Sequence, residues 1–262
     1  MKTIITASIA SLFFSSIAAA FTIGTQNLYH YTTQYPERFA NMDKEVAGPG
    51  VPQIICFQEA ARWTSKDALY DHFINLTKYQ GVYQSTNQLG VMNDGIALVS
   101  ALPGAHFASA ELPATKIFSR QFINSGVFQT EVGAIFVLNV HLSPFAENQD
   151  RRLIQAQFIL DYIKQNSGGY PTLILGDLND RYDSVVLKVF KDAGFFDVAN
   201  GQGFTFNPDT NPLVKDSDKK FGPSRLDYIL FQPARLKVKS TRLMFQENWV
   251  SDHYGFRAEL GL

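Results

Sequence analysis

The chain has 262 residues, 45% of them hydrophobic and 18% charged, which excludes an intrinsically disordered polymer too poor in apolar surface to order itself. That length accommodates one sizeable α/β core. A formal net charge of −1 excludes a global basic footprint for nucleic acid or anionic lipid, and the single Cys56 excludes an intramolecular disulfide.

Lys2 gives a short basic start, Ile4 to Ile17 is a mostly apolar run diluted by hydroxyls, and Ala18-Ala19-Ala20 supplies small residues. This pattern predicts a signal peptide over residues 1–20 cleaved before Phe21, and hence a secreted or periplasmic protein whose residues 21–262 form a single domain. The run is too short for a membrane anchor, and no later stretch is long and apolar enough to span a bilayer. Strand-like apolar runs follow at Phe21 to Gln26, Ile54 to Gln58, Gly95 to Ser100, Val127 to Glu131 and Ala134 to His141. Three more lie at Thr172 to Leu175, Leu226 to Phe231 and Gly255 to Leu260. Between them, Pro36 starts a helix carrying Phe39, Met42 and Val46, and Ser65 is placed to cap a helix carrying Leu69, Phe73 and Leu76. The longest helical pattern runs from Asn148 to about Gln165, with Leu153, Ala156, Leu160 and Ile163 on one stripe, and stops at Gly168-Gly169. Clustered strands with interspersed helices predict mixed sheets rather than one parallel sheet. The polar stretch from Gly201 to Ser224 is long for a structureless loop and leads into the strand at Leu226, so a role in substrate selection is expected of it. Cys56 sits in an apolar run and is expected to be a buried, inert thiol.

Polar residues recur at the ends of the apolar strands. Asn27 follows the first, Gln58-Glu59 the second, and Asp94 precedes the third. Asn139 and His141 lie two apart and so face the same side of a strand, as do Asp177 and Asn179 in spacing. Asp227 lies within its strand, and Asp252-His253 precede the last one. Each acid alone reads as a turn former. Together they make a pocket of like charges that needs a cation or hydrogen bonds to offset its cost. Carboxylate and amide oxygens with two histidines and no cysteine suit Mg²⁺, with Mn²⁺ or Ca²⁺ as substitutes, better than zinc.

The ordered blocks Gln58-Glu59, Asn139-Val140-His141, Gly176-Asp177-Leu178-Asn179, Arg225-Leu226-Asp227-Tyr228 and Ser251-Asp252-His253 resemble those of the endonuclease/exonuclease/phosphatase superfamily. With Asn27 they span nearly the whole mature chain. The resemblance implies a four-layer α/β/β/α sandwich of two packed mixed β-sheets, with the site at one rim. It implies Glu59 as the principal metal carboxylate, assisted by Asn27 and Asp252. It implies Asp177 as the acid that activates water, Asn179 on a phosphate oxygen, and His253 paired with Asp227 at the scissile phosphate. His141 then protonates the leaving oxygen with Asp94 as its partner. Asn139 joins the substrate-binding set, as does Arg120, whose guanidinium suits a bidentate clamp on phosphate.

The resemblance implies a metal-dependent phosphodiesterase, with nucleic acid slightly ahead of a phospholipid headgroup as substrate. Lys215, Lys219 and Lys220 in the long loop are the nearest approach to a basic stripe; Phe204 and Phe206 favour a sphingomyelinase-type phospholipase. A small-molecule phosphatase stays open, as does a catalytically silent binding module or toxin subunit, which would have no use for the full acid and histidine set.

Overall fold

A computed structural model of the chain describes residues 19–63, 67–86, 92–114 and 120–262. Residues 1–18 of the expected leader and the Ser65 cap lie outside these residues, while Ala20, the last residue expected in the leader, opens β1. In chain order the elements are β1 (Ala20–Asn27), α1 (Tyr35–Ala47), β2 (Ile54–Gln58), β3 (Arg62–Trp63), α2 (Leu69–Thr77), β4 (Gln80–Ser85) and β5 (Met92–Asn93). Then come β6 (Gly95–Ser100), β7 (Gly104–Glu111), β8 (Phe122–Thr130), β9 (Gly133–His141), α3 (Gln149–Asn166) and β10 (Thr172–Asp177). The chain closes with α4 (Val185–Asp192), β11 (Phe196–Asp197), β12 (Asp227–Phe231), β13 (Lys237–Met244) and β14 (Gly255–Gly261).

Among the described residues the strands form two six-stranded sheets, ordered β13-β14-β1-β2-β6-β4 and β11-β12-β10-β9-β8-β7, with β3 and β5 paired alone. Both sheets are mixed: β1 runs parallel to β2 and β9 to β10, while their other neighbours are antiparallel. Phe21, Ile23, Cys56, Val137, Leu175, Ile229 and Phe256 pack between the sheets. Met42 of α1 and Leu69 and Phe73 of α2 cover the first sheet, and Ala156, Ile159, Leu160 and Ile163 of α3 with Phe190 of α4 cover the second. The result is the expected four-layer α/β/β/α sandwich. Cys56 is buried in its middle, and burial pushes its thiol pKa up.

The strand period of two positions the site. Ile23, Leu173, Leu175, Ile229, Ile135 and Val137 are inter-sheet residues, and the same parity continues to Asn27, Asp177, Asp227 and His141. Each of these is the last inward-facing residue at the same rim of the sandwich. Register then aligns three of them in one row, since Asp177 pairs with His141 on β9 and with Asp227 on β12. Gly176 permits the close approach of β9 and β10, because a Cβ there would lie 1.8 Å from the Val140 carbonyl oxygen.

Several expectations need correction. The strand placed at Val127 to Glu131 starts earlier, at Phe122, and Glu131 belongs to the turn. The N-cap of α2 is Ala68, with no side-chain cap, and Leu76 is exposed rather than part of the apolar face, which is Leu69, Tyr70 and Phe73. Seven elements escape periodicity: β3, β5 and β11 have two residues each, β4 is polar, β7 and β13 are largely exposed edge strands, and α4 is short. No helix among the described residues is long and apolar enough to cross a membrane.

Candidate active site

The site is built where the two sheets meet at this rim. Asn27 ends β1 and its Nδ2 donates to Glu59 Oε1 and to Asp177 Oδ2, both at 3.1 Å, so one amide spans the sheets. Its Oδ1 accepts the Tyr29 main-chain N–H at 2.9 Å. The amide is oriented by Tyr29 and gives its N–H groups to two carboxylates, and the second lone pair of Oδ1 is the one with which Asn27 would assist Glu59 at a metal. Glu59 follows β2 with φ at 47°, a left-handed turn that swings its carboxylate off the strand parity and into the cleft.

Asp177 is buried, its Oδ1 accepts the Asn179 N–H at 2.8 Å, and His141 Nε2 stands 3.7 Å from its Oδ2. Burial, and then the neighbouring Asp227, raise the Asp177 pKa above the usual carboxylate range. His253 Nδ1 lies 2.8 Å from Asp227 Oδ2, while Asp227 Oδ1 is buried without a partner among the described residues. Burial opposes the charged imidazole, but Asp227, Asp177 and Asp252 outweigh it and hold the His253 pKa well above its ordinary value. Asn179, also left-handed at φ 50°, donates from Nδ2 to the Leu142 carbonyl at 3.0 Å and lines the cleft. The cleft, about 420 Å³, is lined by Glu59, Asp94, His141, Asp177, Asp252 and His253.

Three other expectations shift. Asp94 is in the cleft, yet its nearest imidazole is that of His30, with Nδ1 at 3.6 Å; His141 pairs with Asp177 instead. Asn139 shares the inward parity of His141 but is fully buried, donating to the Phe57 and Ala97 carbonyls and accepting from Gln58 Nε2 at 2.7 Å. It ties the sheets together and cannot reach substrate. Arg120 reaches the cleft rim, but its bidentate fork is taken by Glu111.

Two features were not anticipated. His30 lies beside Glu59, its Nδ1 2.6 Å from Oε2. Arg38 is fully buried and donates to five main-chain carbonyls, those of Leu28, Tyr29, Tyr31, Thr33 and Val250. Neither residue stands at the end of an apolar run, the only signal that marked the others.

The donor set fits a divalent cation. Burial first, and then Glu59, raise the pKa values of Asp94 and Asp252 to about 6 against the opposing pull of neighbouring histidines, the mark of buried carboxylates crowded together. Glu59, Asp94 and Asp252 would hold the ion. A second group, Asp177, Asp227 and His253, has its ligand atoms within 4.8 Å of one another.

A sequence profile described as the Endonuclease/Exonuclease/phosphatase family matches residues 24–253. The chain belongs to that family and is a metal-dependent phosphoric ester hydrolase. No curated protein sequence matches it. Among solved structures it is similar to an endonuclease/exonuclease/phosphatase family protein from Leptotrichia buccalis, with TM-score 0.72 and 17% identity over 93% of this chain and 100% of that one. It is also similar to the human nocturnin catalytic domain with bound sulfate (TM-score 0.71, 18% identity, 92% of this chain and 94% of that). A mannosyl-6-phosphatase from Bacteroides thetaiotaomicron gives TM-score 0.66 at 15% identity, over 92% of this chain and 100% of that one.

Proposed function

We propose that the protein is an exported phosphodiesterase acting on nucleic acid. The observation that carries the substrate class is aromatic walls on both flanks of the catalytic row. On one flank, a second cleft of about 450 Å³ runs from His253 and Asn179 between Pro144, Phe145, Phe206 and Phe221. Phe145 is 68% exposed and sits at φ 70°, ψ 145°, a conformation costly for any residue but glycine. Buried Arg152, ion-paired with Asp180, holds that conformation by donating to the Phe145 carbonyl at 2.6 Å. On the other flank Lys215, from the long loop, stands 4.1 Å above the Tyr31 ring and 5.6 Å from that of Tyr29. Exposed rings on one side of a phosphate suit a strand whose bases stack, while Lys215 over the Tyr31 ring on the other side, with Arg181, meets its charge.

The chemistry follows from the residues. Asp177, basic beyond the carboxylate norm, orients a water and takes its proton as the water oxygen attacks phosphorus. His253, kept charged by Asp227, faces the phosphate and stabilises its developing negative charge. His141 gives a proton to the leaving oxygen as the phosphorus–oxygen bond breaks. Glu59, Asp94 and Asp252 would hold a divalent cation, which would supply polarisation of a phosphoryl oxygen and neutralisation of charge.

The test is a panel of plasmid DNA, RNA, sphingomyelin and a chromogenic phosphodiester with Mg²⁺, Mn²⁺ or EDTA, beside an Asp177→Asn control. Metal-dependent cleavage of DNA or RNA, lost in the control, is expected. Turnover of sphingomyelin alone would replace this substrate class with the phospholipid one, which the exposed Phe145, Phe204 and Phe221 also favour. Export is tested by N-terminal sequencing of protein recovered outside the cytoplasm of an expressing cell, with Phe21 expected as the first residue.

A further inference from the structure

The loop after β1 carries a nitrogen donor into the carboxylate cluster. His30 is fixed there from three sides: its main-chain N–H donates to Glu59 Oε2 at 3.2 Å, the Tyr31 ring packs 4.3 Å from its own, and Arg38 grips the carbonyls of Leu28, Tyr29, Tyr31 and Thr33 around it. Its Nδ1 is buried and lies 2.6 Å from Glu59 Oε2 and 3.6 Å from Asp94 Oδ2. Despite that proximity, Nδ1 has no hydrogen-bond partner of acceptable geometry among the described residues. Nδ1 thus lies close to an oxygen of each of two carboxylates, and its two spacings bracket the separation of neighbouring ligands around one small cation, about 3 Å for an octahedral shell with bonds of about 2.1 Å. An imidazole nitrogen set beside two carboxylates is placed to join them on a cation.

We infer that His30 is a direct nitrogen ligand of the divalent cation held by Glu59 and Asp94, and that it tunes the site toward Mn²⁺ over Mg²⁺ and Ca²⁺. The inference rests on the metal-dependent reading of the same site. Mg²⁺ and Ca²⁺ are hard ions that take oxygen, whereas first-row transition ions accept imidazole readily. A shell of oxygens alone leaves that choice to size and charge. One nitrogen adds a chemical preference.

Two measurements decide it. Pulsed electron paramagnetic resonance on the Mn²⁺-loaded full chain reads nitrogen bound directly to manganese, and ¹⁵N-histidine labelling of the wild type identifies that nitrogen as imidazole whether or not any variant folds. Competition binding by calorimetry gives the Mn²⁺-to-Mg²⁺ affinity ratio. A directly bound imidazole signal is expected in the wild type and in His141→Gln, and its loss in His30→Gln, together with a fall in the affinity ratio of about tenfold. Bound Mn²⁺ with no nitrogen coupling overturns the inference and makes His30 a protonated partner of Glu59, leaving the phosphoesterase reading intact. A signal that survives in His30→Gln, or vanishes only in His141→Gln, overturns it as well. Failure of the wild type to bind Mn²⁺ or Mg²⁺ at all removes the metal-dependent reading and this inference with it.

Discussion

Arg38→Met should destabilise the fold and loosen the cation site together. The guanidinium is fully buried and, among the described residues, no carboxylate pairs with it; its partners are the carbonyls of Leu28, Tyr29, Tyr31, Thr33 and Val250. Burial lowers its pKa to about 10, so it remains charged at neutral pH. Each hydrogen bond from a charged donor contributes about 1.5–3 kcal/mol net, and desolvating the guanidinium costs several kcal/mol. Methionine recovers the desolvation and some packing but strands five acceptors, so a net loss of about 3–5 kcal/mol is expected. For a chain of this size that is a fall in melting temperature of about 10 °C. The carbonyls lie in the loop that carries His30 and in the segment just before Asp252, so cation affinity should fall about tenfold or more. Arg38→Lys should recover little of either, because one ammonium has three donors and no planar fork. Differential scanning calorimetry and cation titration check both effects. A methionine variant that melts within about 2 °C of wild type, with unchanged affinity, would refute the reasoning.

Asp177→Asn and His253→Ala should each lower kcat by about 10²–10⁴-fold while the melting temperature holds, as steady-state kinetics beside calorimetry would reveal. Asn139→Leu should do the reverse: removal of its bonds to Phe57, Ala97 and Gln58 costs about 3 kcal/mol of stability, with kcat unchanged when assayed well below the melting point. For Asp94 and Asp252 the folded pKa values of about 6 exceed those of the unfolded chain. Their contribution to stability is therefore complete below about pH 4 and is lost as pH rises through about 6. A divalent cation restores the missing charge, so the rise in melting temperature on adding Mn²⁺ should be larger at about pH 7.5 than at about pH 5. An equal rise at both would separate these two acids from the cation.

What could be read from the sequence was set by strand parity. Asn27, Asp177, Asp227 and His141 continue apolar runs whose every second residue is inward, so their convergence follows once the runs are strands. Depth along the strand is another matter. Asn139 has the parity of His141 but lies about 7 Å further into the sandwich, at about 3.3 Å per residue, and there an amide bridges sheets rather than meets solvent. In sequence Arg120 resembles a phosphate clamp because nothing in its neighbourhood discloses that β7 brings Glu111 across to it. β7 and β13 are exposed edge strands, and without a buried face they carry no alternation to detect. His30 is the most consequential omission. The loop Leu28 to Thr33 has no period at all; its shape comes from Arg38, a residue that reads as an ordinary charged position on α1.

The polar residues of the rim form a graded series between the sheets. Deepest, Gln58 Nε2 donates to Asn139 Oδ1; nearer the surface, Asn27 Nδ2 bridges Glu59 and Asp177, and Gln26 Nε2 holds the His253 carbonyl at 3.0 Å. At the mouth stand His30, Asp94 and Asp252, partly open to solvent. The deep amides are neutral and carry stability through complete hydrogen bonding. Crowded carboxylates at the mouth cost stability until a cation arrives, and that cost is what makes the mouth a cation site. Since Glu59 comes from one sheet and Asp177 and Asp227 from the other, neither sheet alone contains the chemistry. The amides that lock the sandwich are thus the same groups that set the distance between the cation's carboxylate and the acid that activates water, and a change at Asn27 should move stability and turnover together where Asn139 moves only the first.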